Sequence, residues 1–174
     1  MRIISGTHKG RRLNAPSTLP VRPTTDRAKE SLFNIIQNRY YFEDKNMLDL
    51  YSGTGNIAYE FASRGCDKIF AIDNNYNCIN YIKDTADSLG FNIATIKSDC
   101  INFLKNCKQE YNFIFADPPY DYDNYQELKN LIFKKKLVKK GGLLIIEHDK
   151  ETKFEADNLE VRKYGTLQFS IFSF

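Results

Sequence analysis

No stretch of this 174-residue sequence approaches the roughly 18 consecutive apolar residues that cross a bilayer, so no transmembrane helix is expected. The first residues, Met1-Arg2-Ile3-Ile4-Ser5-Gly6, lack the long apolar run of a secretory signal. Cysteine is sparse and badly spaced for structural chemistry. Cys66, Cys78, Cys100 and Cys107 show neither CxxC spacing nor histidine partners, which argues against a disulfide framework and against a metal site. Free thiols in a reducing cytoplasm are the expectation. No internal repeat or low-complexity segment is present. Charge of one sign is also scarce: 25 Lys and Arg against 22 Asp and Glu leave a net +3, too little to identify a partner. What remains is an ordinary soluble composition, 42% hydrophobic and 27% charged, in a chain one domain long.

The distribution of charge says more than its sum. Residues 1–29 hold His8-Lys9-Gly10-Arg11-Arg12, then Arg22, Arg27 and Lys29, against one acid, Asp26. A basic arm of this kind suits a polyanion such as nucleic acid, with a merely solvated terminus as the equal alternative. Within it, Arg2-Ile3-Ile4 and Arg11-Arg12-Leu13 are spaced to pair as a small hairpin across Gly6 to Gly10. Thr25 is a good N-cap for a helix carrying Ala28, Leu32, Ile35 and Ile36 to about Asn38.

From Asn46 onward the pattern alternates. Apolar strands at 47–51, 68–72, 93–97, 111–116 and 143–147 are separated by helix-like segments near 56–64, 75–89, 100–107 and 123–134. Gly65 and Gly90 stand where helix C-caps belong. This predicts a doubly wound parallel α/β sheet. Residues 160–164 and 167–174 alternate around Gly165 with no helix between them and read as an antiparallel hairpin. A five-strand parallel core ending in such a hairpin is the plan of a Rossmann-like class I methyltransferase rather than a dehydrogenase.

The loop after the first core strand reads Asp49-Leu50-Tyr51-Ser52-Gly53-Thr54-Gly55-Asn56. Its glycines allow a sharp turn and close approach to a ligand. Gly53-x-Gly55-x-x-Ala58 also fits a dinucleotide fingerprint, and Asp73 at the second strand end would suit a ribose in either reading. Two acids favour S-adenosylmethionine. Asp49 lies four residues before the first glycine, where methyltransferases place an acid near the methionine ammonium, and Asp99, beside Cys100, ends the third strand, where it can accept from the adenine amine. The plainer readings are a turn cap for Asp49 and helix N-caps for Asp73 and Asp99. Three acids at successive strand ends of one sheet, beside that loop, weigh against them, because ligands bind at the carboxyl ends of such strands.

Asp117-Pro118-Pro119-Tyr120 ends the fourth strand. A carboxylate and a backbone carbonyl, Asp117 and Pro118, accept from an exocyclic amine. Pro119 stiffens the turn, and Tyr120 offers a stacking face worth about 1–3 kcal/mol. Such an amine is a weak nucleophile because its lone pair is delocalised, and two accepted N–H bonds would turn that pair toward a methyl donor. The base must then be unpaired or flipped from its helix. A rigid turn is the plainer reading. His148 at the fifth strand end reads as a polar strand-end residue before it reads as an acid or base. The lysines at 134–136, 139 and 140 read as a solvated run, and the aromatics of the last strands as core.

Met1-Arg-Ile-Ile-Ser-Gly, Lys9-Gly10-Arg11, Arg22-Pro23-Thr24-Thr25-Asp26-Arg27, Phe33-Asn34-Ile35, Leu48 to Gly55, Ser63-Arg64-Gly65, Asp117 to Tyr120, Gly141-Gly142 and Tyr164-Gly165 together resemble the RsmD family of small-subunit rRNA (guanine-N2)-methyltransferases. The likeness spans essentially the whole chain, and the Arg22 to Arg27 segment discriminates it from other methyltransferases. It implies a cytoplasmic, monomeric enzyme moving a methyl group from S-adenosylmethionine to N2 of one guanine of 16S rRNA, in the small subunit or a late assembly intermediate. Residues 1–25 would form a basic hairpin extension and 26–174 the methyltransferase domain. The cofactor would meet Asp49, Tyr51, Ser52, Gly53, Gly55, Asp73, Asn74, Asp99 and Cys100, and the reaction Asp117, Pro118, Pro119 and Tyr120. Lys9, Arg11, Arg12, Arg22 and Arg27 are the candidates for RNA contact, the two later arginines equally for bracing the site. Asn56 departs from the small residue usual in the family, Asp73 from its glutamate and Cys100 from its alanine. Methylation of an adenine or cytosine amine, a non-catalytic RNA-binding assembly module and, more distantly, a nicotinamide oxidoreductase are the alternatives.

Overall fold

The computed structural model describes residues 1–19, 24–119 and 121–174. Seven strands form one sheet: β1 (Asn46–Leu50), β2 (Lys68–Asp73), β3 (Ile93–Lys97), β4 (Tyr111–Ala116), β5 (Val138–His148), β6 (Leu159–Tyr164) and β7 (Leu167–Ser173). Their order is β3-β2-β1-β4-β5-β7-β6. β1 to β5 pair in parallel, and β7 runs antiparallel between β5 and β6. The helices are α1 (Asp26–Gln37), α2 (Asn56–Ser63), α3 (Tyr76–Leu89), α4 (Cys100–Asn106) and α5 (Tyr125–Lys134). This is the architecture expected from the alternation of strand and helix patterns.

The central strands are buried on both faces, and alternate residues serve different cores. Leu48, Leu50, Ile114, Leu144 and Ile146 pack toward α4 and α5. Met47, Phe113, Phe115, Leu143 and Ile145 pack toward α1 and α2, against Leu32, Phe33, Ile36 and Phe61. Each such large side chain removed from water contributes about 1.5–3 kcal/mol. Thr25 caps α1 by accepting from the Ala28 amide at 3.3 Å, as expected of its position.

Two features differ from the pattern in the sequence. β5 begins at Val138, five residues earlier than its apolar run, because the pairing to β4 jumps from Tyr111–Val138 to Phe113–Leu143. The extra residues include Gly141-Gly142, so a glycine pair that looks like a turn is instead an irregularity within a strand. The second difference is α2, which is buried on nearly every side, Glu60 included.

The N-terminal hairpin accounts for that burial. Its strands meet through an Arg2–Arg12 bridge, with the Ile3 amide donating to Arg11 O at 2.9 Å and Leu13 to Met1 O at 3.0 Å. Ile3 and Leu13 pack with Tyr59, Ala71, Ile82 and Leu89. Gly6 presses so closely on the end of α2 that a Cβ would lie 1.7 Å from Ser63 O, so only glycine fits. The hairpin thus lies on the outer face of α2 and shields its polar side chains.

Candidate active site

The loop between β1 and α2 is held by hydrogen bonds from several directions. Tyr51 adopts φ 58°, unusual for a bulky residue, and its amide donates to Cys100 Sγ at 3.2 Å. The Ser52 hydroxyl donates to Asp49 O at 2.7 Å and is 3.1 Å from Ile72 O. Asp73 Oδ2 accepts from the Gly53 amide and Oδ1 from the Asn75 amide, both at 2.8 Å. Gly55, at φ 76°, N-caps α2 with no room for a side chain, since a Cβ would lie 2.8 Å from the Tyr59 ring.

Asp49, Asp73 and Asp99 stand at the carboxyl ends of β1, β2 and β3, and their environments differ. Asp49 is 2% exposed, and its Oδ2 has no hydrogen-bond partner among the described residues. Burial pushes its carboxyl well above the usual range, the Asp73 charge adds to this, and the Ala58 amide opposes it. Asp99 is exposed and N-caps α4, accepting from the Asn102 amide at 2.8 Å. The helix-cap reading thus holds for Asp99, whereas α3 is capped by Asn75 rather than Asp73. Asn74 is exposed beside it. Cys100 is buried, and burial raises its thiol, so it serves the loop as a neutral acceptor.

Asp117 follows β4, its amide donating to Leu50 O at 3.3 Å. Pro118 is buried, Pro119 is exposed, and Pro119 O accepts from the Tyr122 amide at 3.0 Å. Burial raises the Asp117 carboxyl well above its ordinary range, and Glu147 and Asp49 raise it further. Asp117, Pro118, Tyr125, Glu147 and His148 line a small, partly open cleft. Tyr120 and Arg22 lie outside the described residues.

Glu147 is the cleft residue that sequence reasoning missed. An acid ending the apolar run Leu143-Leu144-Ile145-Ile146 was the available signal. It is 7% exposed, its Oε2 accepts from the Thr24 hydroxyl at 2.7 Å, and burial raises its carboxyl to about 7 despite that bond. His148 next to it has both ring nitrogens engaged, 2.6 Å from Asp149 O and 2.7 Å from Ser170 Oγ. Burial lowers its pKa, favouring a neutral ring that serves as a strand-end fixture.

Lys29 corrects the picture of a continuous basic arm. It is 1% exposed and points inward, donating to Arg2 O and to Asn56 Oδ1, both at 2.7 Å, with Glu60 Oε2 at 3.5 Å. Glu60 also accepts from the Ile4 and Ser5 amides and from Arg64 Nε. Asn56 in turn donates to Thr24 O at 2.9 Å, so the residue that departs from the family's small side chain joins α1 and α2 to Thr24, the partner of Glu147. Lys9, Arg11, Arg12 and Arg27 are exposed and make no ion pair among the described residues. The run at 134–140 spans the end of α5 and the start of β5, the opposite edge of the sheet from the cleft, and Lys135 is bonded to Lys105 O.

Comparison with known proteins places this arrangement. A family model described as conserved hypothetical protein 95 matches residues 1–173. The candidate rRNA methyltransferase YlbH of Bacillus subtilis is 35% identical, over 99% of this chain and 98% of its own. Ribosomal RNA small subunit methyltransferase D of Escherichia coli is 30% identical over 87% of this chain and 76% of its own. The structure of the E. coli candidate methyltransferase YhhF superposes with a TM-score of 0.86 at 25% identity, covering 99% of this chain and 97% of that one. The sheet order and terminal hairpin are those of class I S-adenosylmethionine-dependent methyltransferases, and the chain belongs to the RsmD family of ribosomal RNA methyltransferases.

Proposed function

We propose that this protein transfers a methyl group from S-adenosylmethionine to the exocyclic N2 amine of a guanine in 16S rRNA. The observation that carries the reading is the convergence of two sites at one sheet edge. A tightly fixed glycine loop with a buried, unpartnered Asp49 oxygen lies beside the Asp117-Pro118 turn and its cleft. The orphaned oxygen fits a cationic group, and the methionine ammonium of the cofactor supplies one. Asp73 keeps acceptor capacity for ribose hydroxyls beyond its two amide bonds, and Asp99, exposed at its strand end, can accept from the adenine amine. Tyr51, Ser52, Gly53, Gly55, Asn74 and Cys100 complete the cofactor set.

S-adenosylmethionine supplies an electrophilic methyl carbon on sulfur. Asp117 and the Pro118 carbonyl accept the two amine hydrogens, so the nitrogen lone pair turns toward that carbon. Held by the Asp49 and glycine-loop residues, the cofactor would supply the methyl group with its sulfur as the leaving group, so the chain's own task is to hold and orient the amine. The surplus proton leaves to Asp117 or water. Positioning and electrostatics account for the acceleration. Tyr120 would stack on the base.

Lys9, Arg11, Arg12, Arg22 and Arg27 would contact rRNA phosphates in a small subunit or late assembly intermediate. A hairpin of residues 1–25 attached to a domain of 26–174, a monomeric state and a cytoplasmic setting complete the proposal. It is tested by nucleoside analysis of 16S rRNA from cells lacking the gene. Loss of N2-methylguanosine, restored by the gene, is expected. An unchanged N2-methylguanosine content with loss of a methylated adenine or cytosine would favour the other amino-methylation reading.

A further inference from the structure

The Asp117 turn accepts an amine but does not distinguish guanine from adenine or cytosine. We infer that Glu147 makes that distinction, accepting the N1–H of the target guanine while Asp117 accepts from its N2 amine. The inference rests on the guanine-N2 reading above.

Several observations converge on Glu147. The register of β4 and β5 pairs Ala116 with Ile146, so Asp117 and Glu147 are the next residues on adjacent parallel strands. By the alternation of strand side chains, both point to the face occupied by Phe115 and Ile145, toward α1 and α2. Both line the same cleft. Thr24 fixes one Glu147 oxygen at 2.7 Å, and no hydrogen bond reaches Oε1 among the described residues. Nor does Glu147 form an ion pair there; Lys29, the nearby buried cation, is held by Glu60, Asn56 and Arg2. A buried carboxylate with a free edge calls for a donor.

Guanine alone among the amine-bearing bases matches two acceptors side by side. Its N1–H and N2 amine are adjacent donors on one edge, whereas adenine and cytosine place a lone-pair nitrogen beside the amine. Against the ionised Glu147, the form present above about pH 7, that lone pair faces a carboxylate and leaves both groups unpaired. Accepting N1–H also feeds electron density through the ring to N2, assisting its attack. The segment before α1 thereby acts on selectivity: Thr24 orients Glu147, and Asn56 holds Thr24 through its carbonyl at 2.9 Å.

The test replaces the modified guanine, once mapped, by 2-aminopurine in small subunits reconstituted with ligated 16S rRNA. That base keeps the amine but presents an unprotonated N1. The wild-type protein is expected to favour guanine by about 10²-fold or more in kcat/KM, as sites that bond a polar group reject analogues lacking it. Glu147→Gln can donate its amide to the unprotonated nitrogen, so the preference should fall at least ~10-fold while S-adenosylmethionine affinity is kept. A wild-type protein that labels guanine, with an unchanged preference in Glu147→Gln, overturns the role of Glu147 and leaves the function standing. Equal losses on both bases, or lost cofactor binding, would make Glu147 structural and overturn it equally. A wild type that labels neither base overturns the guanine reading itself.

Discussion

Asp117, Asp49 and Glu147 show how a side chain's surroundings set its work. All three are carboxyls at strand ends on the α1–α2 face, and burial raises each of them. Because ionised Asp117 is disfavoured by its setting, removing it relieves a cost of burial, and Asp117→Ala is expected to fold. It should bind S-adenosylmethionine nearly as the wild type does, while methyl transfer falls by at least ~10². Isothermal titration beside a transfer assay checks this, and lost cofactor binding would contradict the role given to Asp117. Asp49, Asp73, Asp99 and Asp117 were legible because each stands at the end of an apolar strand, Asp49 ahead of the glycine loop and Asp117 before two prolines. Glu147 was hidden because a single acid after four aliphatic residues carries no spacing signal. Its meaning comes from Thr24, 123 residues away in sequence.

Elements were legible where a single period governs them, and not where another part of the chain covers them. The parallel strands and α3 emerge from alternation and capping, whereas α2 owes its burial to a hairpin distant in sequence. Lys29 lies in a stretch that reads as a basic arm, yet it joins that hairpin to α1 and α2. Lys29→Met would leave Arg2 O and Asn56 Oδ1 without their donor, at a cost of about 3 kcal/mol in urea unfolding. A change below about 0.5 kcal/mol would show the network to be idle. The exposed cations of the same element have a separate test. Replacing Lys9, Arg11 and Arg12 together should weaken small-subunit binding and reduce the slope of log affinity against log salt by up to about 2–3. An unaltered slope would remove the hairpin from the RNA interface.

For the molecule as a whole, the raised carboxyls make stability depend on pH in a definite direction. Glu147 titrates near 7 when folded against an ordinary 4.5, so its protonated form is favoured in the native state. The stability it lends is complete below about 4.5 and is lost as pH rises through about 7, and Asp49 and Asp117 have the same sign. His148 opposes them, because its lowered value costs stability as pH falls below its ordinary 6.5. Three carboxyls outweigh one imidazole, so the cofactor-free protein should have a lower Tm at pH 8 than at pH 6, and Glu147→Gln should narrow the gap. An equal or higher Tm at pH 8 would contradict the raised values. The overall plan was legible from strand and helix periodicity, but the cleft was not, because the turn after β4, the start of α5, the end of β5 and the start of β7 meet only in the folded chain. The central claim is methyl transfer to a guanine amine, and one measurement addresses it most directly. Labelled S-adenosylmethionine is incubated with the protein and with small subunits from cells lacking the modification, and the 16S rRNA is digested to nucleosides. Label in N2-methylguanosine, absent with Asp117→Ala, is the expected result; label in a methylated adenine or cytosine, or none in rRNA, would contradict it.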